Sequence, residues 1–169
     1  METRNEVVLV DQNDQVTGTA PKMEAHIKGL LHRAFSVWIT NSKGEILLQQ
    51  RAWDKYHSPG LWSNSCCSHP QPGEAIEDSA RKRLFEEMRI DSRLDFAGKF
   101  YYKVDFDEEL AEHEIDYVFT GLYDGPVNPD PEEVADYKWI DRDELLEELK
   151  ENPQHFTYWF PKVLDLVYN

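Results

Sequence analysis

The chain has only two cysteines, and they are neighbours, Cys66 and Cys67. Adjacent residues are poor disulfide partners because the bond demands a specific geometry. A disulfide framework is therefore excluded, and both thiols are expected to be reduced. No stretch approaches the ~20 consecutive apolar residues that cross a bilayer as a helix, so no membrane insertion is expected. The first residues, Met1-Glu2-Thr3-Arg4-Asn5-Glu6, lack the apolar segment of a secretory signal, and the expected location is cytoplasmic. No glycine-rich flavin-binding signature occurs, so no flavin is expected. Repeats, low-complexity tracts and linkers are also missing, and 169 residues suit one domain, 1–169.

Positive charge is scarce where the chain is most acidic. Residues 1–103 hold fourteen Lys and Arg against fourteen Asp and Glu; residues 104–169 hold four against nineteen and supply the whole net charge of −15. Such a chain repels nucleic acid. An anionic ligand belongs with the basic residues of the first two-thirds.

Apolar residues make up 40% of the chain and aromatics 12%, enough for a core. Val7–Val10, Ala34–Thr40 and Glu45–Gln50 read as strands, the last two joined by the turn Asn41-Ser42-Lys43-Gly44 as a hairpin. Ile76, Ala80, Leu84 and Met88 form an apolar stripe that predicts a helix over 74–88, with Glu74, Glu77 and Asp78 at its dipole-positive end. Lys99–Phe106 and Ile115–Tyr123 read as strands, and Asp141–Glu151 and Phe156–Val167 as helices, the second kinked or started by Pro161. The order predicts an α+β domain with a mixed sheet.

Four groups of residues carry chemistry. In Trp62-Ser63-Asn64-Ser65-Cys66-Cys67-Ser68-His69-Pro70, extended alternation places Cys67 and His69 on one face and Cys66 on the other. A lone cysteine is more often a small core residue, so this pair alone does not establish a reactive site. In Glu112-His113-Glu114-Ile115-Asp116-Tyr117 the same alternation sets Glu112 beside Glu114, two carboxylates that repel unless a proton or cation lies between them. Six histidines occur, and His26, His32 and His69 with the two glutamates would form a five-ligand site for a divalent metal with one position open, with His57, His113 and His155 left over. On the helix, Glu86 and Glu87 offer hard oxygens of the kind that hold Mg²⁺ against a diphosphate, and Arg83 stands one turn before Glu87. Lys22, Arg51 and Lys55 are candidate phosphate clamps. Taken singly, each of these cations reads better as a surface charge.

Together these residues resemble the type 1 isopentenyl diphosphate isomerases, a branch of the Nudix superfamily. The Nudix pattern is followed at Glu74, Leu84, Glu86 and Glu87, with Ser68 and Arg89 standing where glycines are usual and Arg83 where the hydrolases carry a glutamate. The segments Asn64–Pro70 and Glu112–Tyr117 are the specific signatures, supported by Leu31–Ser36 and Pro59-Gly60-Leu61-Trp62. The resemblance runs from about Glu6 to Trp159 and implies a Nudix fold, a mixed β-sheet flanked by helices around a buried pocket.

Carried over by position, it implies a second divalent metal, Mn²⁺ or Zn²⁺, on His26, His32, His69, Glu112 and Glu114, although His26 stands closer to His32 than the family pattern suggests. It makes Cys67 and Glu114 the acid–base pair, and places Tyr102 near Glu114 and Trp159 at the hydrocarbon end. Glu87 and the Cys67 carbonyl would hold Mg²⁺, and Lys22, Arg51, Lys55 and Arg83 the diphosphate. The implied substrate and product are isopentenyl and dimethylallyl diphosphate, of isoprenoid biosynthesis. Cys67 is expected to serve as a thiolate if its pKa is depressed. A Nudix diphosphate hydrolase and a non-enzymatic metal- or phosphate-binding module are the other readings.

Overall fold

The computed structural model describes residues 5–55, 57–105 and 110–169. The elements run β1 (Glu6–Val10), β2 (Val16–Pro21), α1 (Lys22–Lys28), β3 (His32–Thr40), β4 (Ile46–Arg51), β5 (Trp62–Ser63), β6 (Cys66–Ser68), α2 (Ile76–Met88), β7 (Asp95–Asp105), β8 (Ala111–Leu122), β9 (Val134–Ile140), α3 (Arg142–Glu151) and α4 (Phe160–Tyr168). Phe106, the end of one expected strand, lies outside the described residues.

β3 organises the sheet. It pairs in parallel with β8 over its full length, from His32 opposite Glu114 to Thr40 opposite Leu122. On its other side it meets β1 at His32, β6 from Phe35 to Val37, and β4 only at Thr40. The expected β3–β4 hairpin is therefore closed only at its turn; β4 runs on to pair with β9 and β5. β7 continues the sheet beyond β8 as an antiparallel neighbour. With β3 and β8 parallel amid antiparallel pairs, the sheet is mixed.

Two cores lie on opposite faces. Phe35, Val37, Ile39 and Cys66 pack with Ala80, Leu84 and Met88 of α2, so the apolar stripe read from the sequence is the buried stripe. Trp38, Tyr102, Val118, Leu145, Trp159 and Phe160 form the second core under α3 and α4, and Cys67 packs at its border. Adjacent cysteines thus face opposite sides, as period-2 alternation requires.

α2 starts at Ile76, two residues later than the stripe suggests, because Ala75 holds an extended ψ of 141°. It ends at Arg89, whose left-handed φ of 58° is the conformation that favours glycine at a helix C-cap. The Arg89 guanidinium donates to the carbonyls of Phe85 (3.2 Å) and Glu86 (2.8 Å), closing the turn that glycine would otherwise make. α4 begins at Phe160 rather than Phe156, which instead bridges to Trp62. β2, α1, β5, β6 and β9 have no counterpart in the elements read from the sequence.

Candidate active site and metal centre

The side chains of His32, Ser36, Glu112, Glu114 and Asp116 gather on the α4 face of β3 and β8. The parallel register of those strands sets His32 opposite Glu114 and Ala34 opposite Asp116. α1 brings in His26, and the chain leaving β6 brings in His69. All four side chains of the two imidazole–carboxylate groups on Glu114 and Glu112 are largely shielded from water: His26 and His32 are fully buried, and Glu112 and Glu114 nearly so. His32 Nε2 lies 3.1 Å and His69 Nε2 3.0 Å from Glu114 Oε2. His26 Nε2 lies 3.1 Å from Glu112 Oε1. His32 Nδ1 contacts the Leu30 carbonyl at 2.8 Å, which fixes its ring and turns Nε2 inward. His26 stands 5.5 Å from His32 and 5.8 Å from His69 by ring centroids, so the short spacing between His26 and His32 still delivers His26 to the cluster.

The electrostatics of this cluster ask for a cation. Burial and the neighbouring Glu112 charge push the Glu114 carboxyl well above the ordinary range. Burial also opposes charge on Glu112, but hydrogen bonds from Glu114, His26 and His57 outweigh it and hold Glu112 ionised. Two buried carboxylates thus share one proton. Burial keeps the imidazoles neutral, His32 down to about 4 and His69 well below its usual value. Neutral imidazoles and carboxylates are the donor set of a first-row divalent ion. His32, His69, Glu112 and Glu114 present one ligand atom each within 4.8 Å of one another, and His26, His57 and Glu112 do likewise. The residues fit a divalent metal.

Cys67 lies beside this cluster. Its thiol donates to Asn64 Oδ1 at 3.3 Å and accepts the Trp159 indole N–H at 3.1 Å. Ser36 and Ser63 hydroxyls lie 3.7 Å from Sγ. Burial, followed by the Asp116 charge, pushes the thiol up to about 11. The condition set for a thiolate, a depressed value, is not met: Cys67 is a neutral thiol that holds a proton. Asp116, which accepts from Ser36 Oγ at 2.9 Å, is itself raised by burial to about 7.

A narrow cleft with about 40 Å³ of free volume opens between these groups, lined by Cys67, His69, Glu112, Glu114, Asp116 and Trp159 among others. Arg51 also reaches its wall, with its guanidinium 5.5 Å from the Trp159 ring centroid. Tyr102 is not part of that wall. It pairs with Glu114 across β7 and β8, and its buried hydroxyl finds no hydrogen-bond partner among the described residues.

The candidate phosphate cations also converge. The Lys22 ammonium is pushed down by burial and then by the charges of Lys55, Arg83 and Arg51, with Glu133 opposing, which places all five around one spot. Arg83 is engaged in other contacts as well: Nη2 lies 2.6 Å from Glu87 and 3.6 Å from Glu133. Lys55 pairs with Glu133 too. Glu87 does not join the histidine cluster; it is held by Arg83 and by Gln49 Nε2 at 3.2 Å.

Sequence reasoning gave no role to four participants. His57 touches Glu112 Oε1 at 2.7 Å. Asn64 and Ser36 hold the thiol. Glu133 sits inside the cation cluster. Asn64 lies within the cysteine motif and His57 upstream of it, but only tertiary structure shows where they point, and Glu133 looks like any other residue of an acidic stretch.

The match to known proteins fits this arrangement. The NUDIX domain family model matches residues 30–160. An isopentenyl-diphosphate Delta-isomerase of Burkholderia multivorans is 49% identical over 154 residues, covering 91% of this chain and 88% of that protein. Isopentenyl-diphosphate Delta-isomerase 2 of Aromatoleum aromaticum is 46% identical over 163 residues, covering 96% and 86%. This chain belongs to the isopentenyl-diphosphate Delta-isomerase family of NUDIX proteins. Among solved structures, the MutT protein from Methanosarcina mazei shares the fold at a TM-score of 0.65 and 22% identity, covering 80% of this chain and 91% of that one. Cys67 and Glu114 lie on the sheet face opposite α2, the helix that carries Glu86 and Glu87.

Proposed function

We propose that this chain converts isopentenyl diphosphate to dimethylallyl diphosphate in isoprenoid biosynthesis, using Cys67 and Glu114 as its acid–base pair. The observation that carries the reading is that the Cys67 thiol, the Glu114 carboxyl and the Trp159 indole line the same small cleft.

Moving the double bond from C3–C4 to C2–C3 requires a proton at C4 and the loss of one from C2. An alkene is a very weak base, so its proton donor must be held in place and kept from bulk water. One group of the pair, protonated, gives its proton to C4 and leaves a tertiary cation at C3; the other, ionised, takes the C2 proton, so the pair carries one exchangeable proton before and after turnover. The roles exchange when the reaction reverses. The cation needs a neutral stabiliser, and an aromatic face is worth ~2 kcal/mol or more when desolvated. Trp159 already holds a guanidinium over its ring. Tyr102, behind Glu114, is placed to hydrogen-bond the carboxyl as its proton moves.

Lys22, Arg51, Lys55 and Arg83 bind the diphosphate and hold the short hydrocarbon chain by remote binding energy. His26, His32, His69, Glu112 and Glu114 would hold Mn²⁺ or Zn²⁺, which would supply a fixed positive charge beside the Glu114 carboxyl. Glu87 and the Cys67 carbonyl would hold Mg²⁺ against the diphosphate, since each Glu87 oxygen keeps lone pairs beyond its contacts with Arg83 and Gln49. The activity is read as that of a single cytoplasmic domain.

The test is direct. Purified protein is incubated with isopentenyl diphosphate and Mg²⁺, without flavin or reductant. Dimethylallyl diphosphate should form, and Cys67→Ala and Glu114→Gln should each abolish it while leaving the fold intact. Release of phosphate or monophosphate instead would make the protein a hydrolase, and metal binding without turnover would make it a binding module.

A further inference from the structure

His57 is the one imidazole in the cluster that the metal-binding reading does not use. It sits in the loop between β4 and β5, the same loop that carries Lys55. Its ring is 7% exposed, and its Nε2 lies 2.7 Å from Glu112 Oε1, closer than the His26 Nε2 contact at 3.1 Å to the same oxygen. The ring is held on every side. Nδ1 lies 3.3 Å from Ser58 Oγ, the ring meets the Trp159 ring edge-on at 6.0 Å, and the His57 carbonyl accepts from Arg51 Nη2 at 3.3 Å. The backbone around it is constrained too: Ser58 and Gly60 both have positive φ, at 52° and 72°, and any Cβ on Gly60 would fall 2.2 Å from the Trp53 ring. His57 therefore approaches Glu112 from a fixed platform.

A carboxylate ligand whose plane is free to swing holds a metal poorly, and hydrogen bonds to ligating carboxylates fix that plane. His57 is grouped by distance with His26 and Glu112, but not with His32, His69 and Glu114. It thus meets Glu112 apart from the position those three share. Glu112 Oε2 has no hydrogen-bond partner among the described residues.

We propose that His57 is a positioning residue of the metal centre: it grips Glu112 Oε1 from the β4–β5 loop and so turns Oε2 toward the ion. The proposal rests on the metal-dependent isomerase reading above, but its test needs no substrate. Metal affinity is measured by competition with a chromophoric chelator for Zn²⁺, and the visible spectrum is recorded with Co²⁺ at saturation. His57→Ala should weaken affinity by roughly 10- to 100-fold. At saturation its Co²⁺ band positions should stay those of the parent, because no ligand has been lost. His57→Gln, whose amide N–H can reach Glu112, should recover most of the affinity; the shorter His57→Asn should not.

Affinity unchanged in both His57→Ala and His57→Asn would overturn the proposal, as would a shifted Co²⁺ spectrum, which would make His57 a ligand. Should His57→Ala fail to fold, the contrast between the Gln and Asn variants decides the matter in the same way. A parent protein that binds Zn²⁺ but leaves isopentenyl diphosphate unchanged would sink the functional reading without touching this one.

Discussion

Loading the metal centre should change stability by an amount that follows from its electrostatics. Glu112 and Glu114 are buried side by side, and without metal they coexist because a proton stays on Glu114. An ion that binds only the folded chain stabilises it by ~4.1 kcal/mol at a thousandfold excess over its dissociation constant. For a chain of this length each kcal/mol moves the melting temperature by roughly 2–4 °C, so the shift should be about 8–16 °C. The pH dependence supplies a sharper test. The folded metal-free state keeps a proton on Glu114 that the unfolded chain has lost, so its stability must fall as pH rises, by up to ~1.4 kcal/mol per pH unit for that group.

Asp116, raised to about 7, contributes in the same direction only up to neutrality. The depressed histidines His32, His57 and His69 act oppositely, but only below about 6.5, where the unfolded chain takes up protons that the folded one refuses. Above pH 7 the buried thiols Cys66 and Cys67 add to the Glu114 contribution in the same direction as unfolded thiols begin to ionise, so comparison with Glu114→Gln isolates the Glu114 share. With saturating Zn²⁺ or Mn²⁺ the carboxyl is ionised in both states, and its slope should vanish. The assay is thermal or urea unfolding at several pH values, with chelator or with metal, for the parent and Glu114→Gln. A melting temperature indifferent to metal, or the same slope with and without it, would refute the reasoning.

Three further outcomes are expected. Since burial pushes Cys67 up to about 11, metal-free protein at pH 7.5 should react with iodoacetamide at Cys67 roughly a few hundredfold more slowly than free cysteine; modification at the free-thiol rate would contradict the neutral thiol. Lys22→Ala and Arg51→Ala should each weaken diphosphate binding by roughly ten- to a hundredfold, the worth of a hydrogen bond between charged groups, whereas Lys43→Ala, on the remote turn, should leave it unchanged in the same titration with inorganic diphosphate. Asp14 is disfavoured by burial, but Lys99, Tyr117 and Arg33 more than compensate and hold its pKa below the usual value. Asp14→Asn should therefore cost roughly 1–3 kcal/mol in urea unfolding above pH 4, a loss that shrinks as acid protonates Asp14 through its lowered folded pKa; an equal loss at pH 2 would show that charge is not the cause.

Much of the site was legible because strand alternation is strict. Cys67 with His69, and Glu112 with Glu114, are pairs two residues apart, and two-residue periodicity leaves no choice of face. The helical stripe of α2 was legible for the same kind of reason. What tertiary contact decides was not. β3 pairs with β8 rather than fully with β4, because both of its edges are satisfied by strands distant in sequence. β2 (VTGTAP) is short and polar, and β9 (VADYKWI) alternates only over Asp136–Trp139, too short a stretch to announce it. The protonation of Cys67 was left open because nothing local reveals its burial or the Asp116 charge brought in by the parallel register, which together disfavour a thiolate. His57 and Glu133 are brought to the site by loops, where sequence spacing carries no geometric information.

The central claim is that Cys67 and Glu114 together move a proton onto and off one five-carbon chain. Turnover of isopentenyl diphosphate in D₂O, followed by mass spectrometry and NMR of the product, tests it most directly. The account predicts solvent deuterium in a methyl group of dimethylallyl diphosphate, with no label and no product in Cys67→Ala or Glu114→Gln. Product formed without solvent deuterium in that methyl group, or formed at the parent rate by either variant, would contradict it.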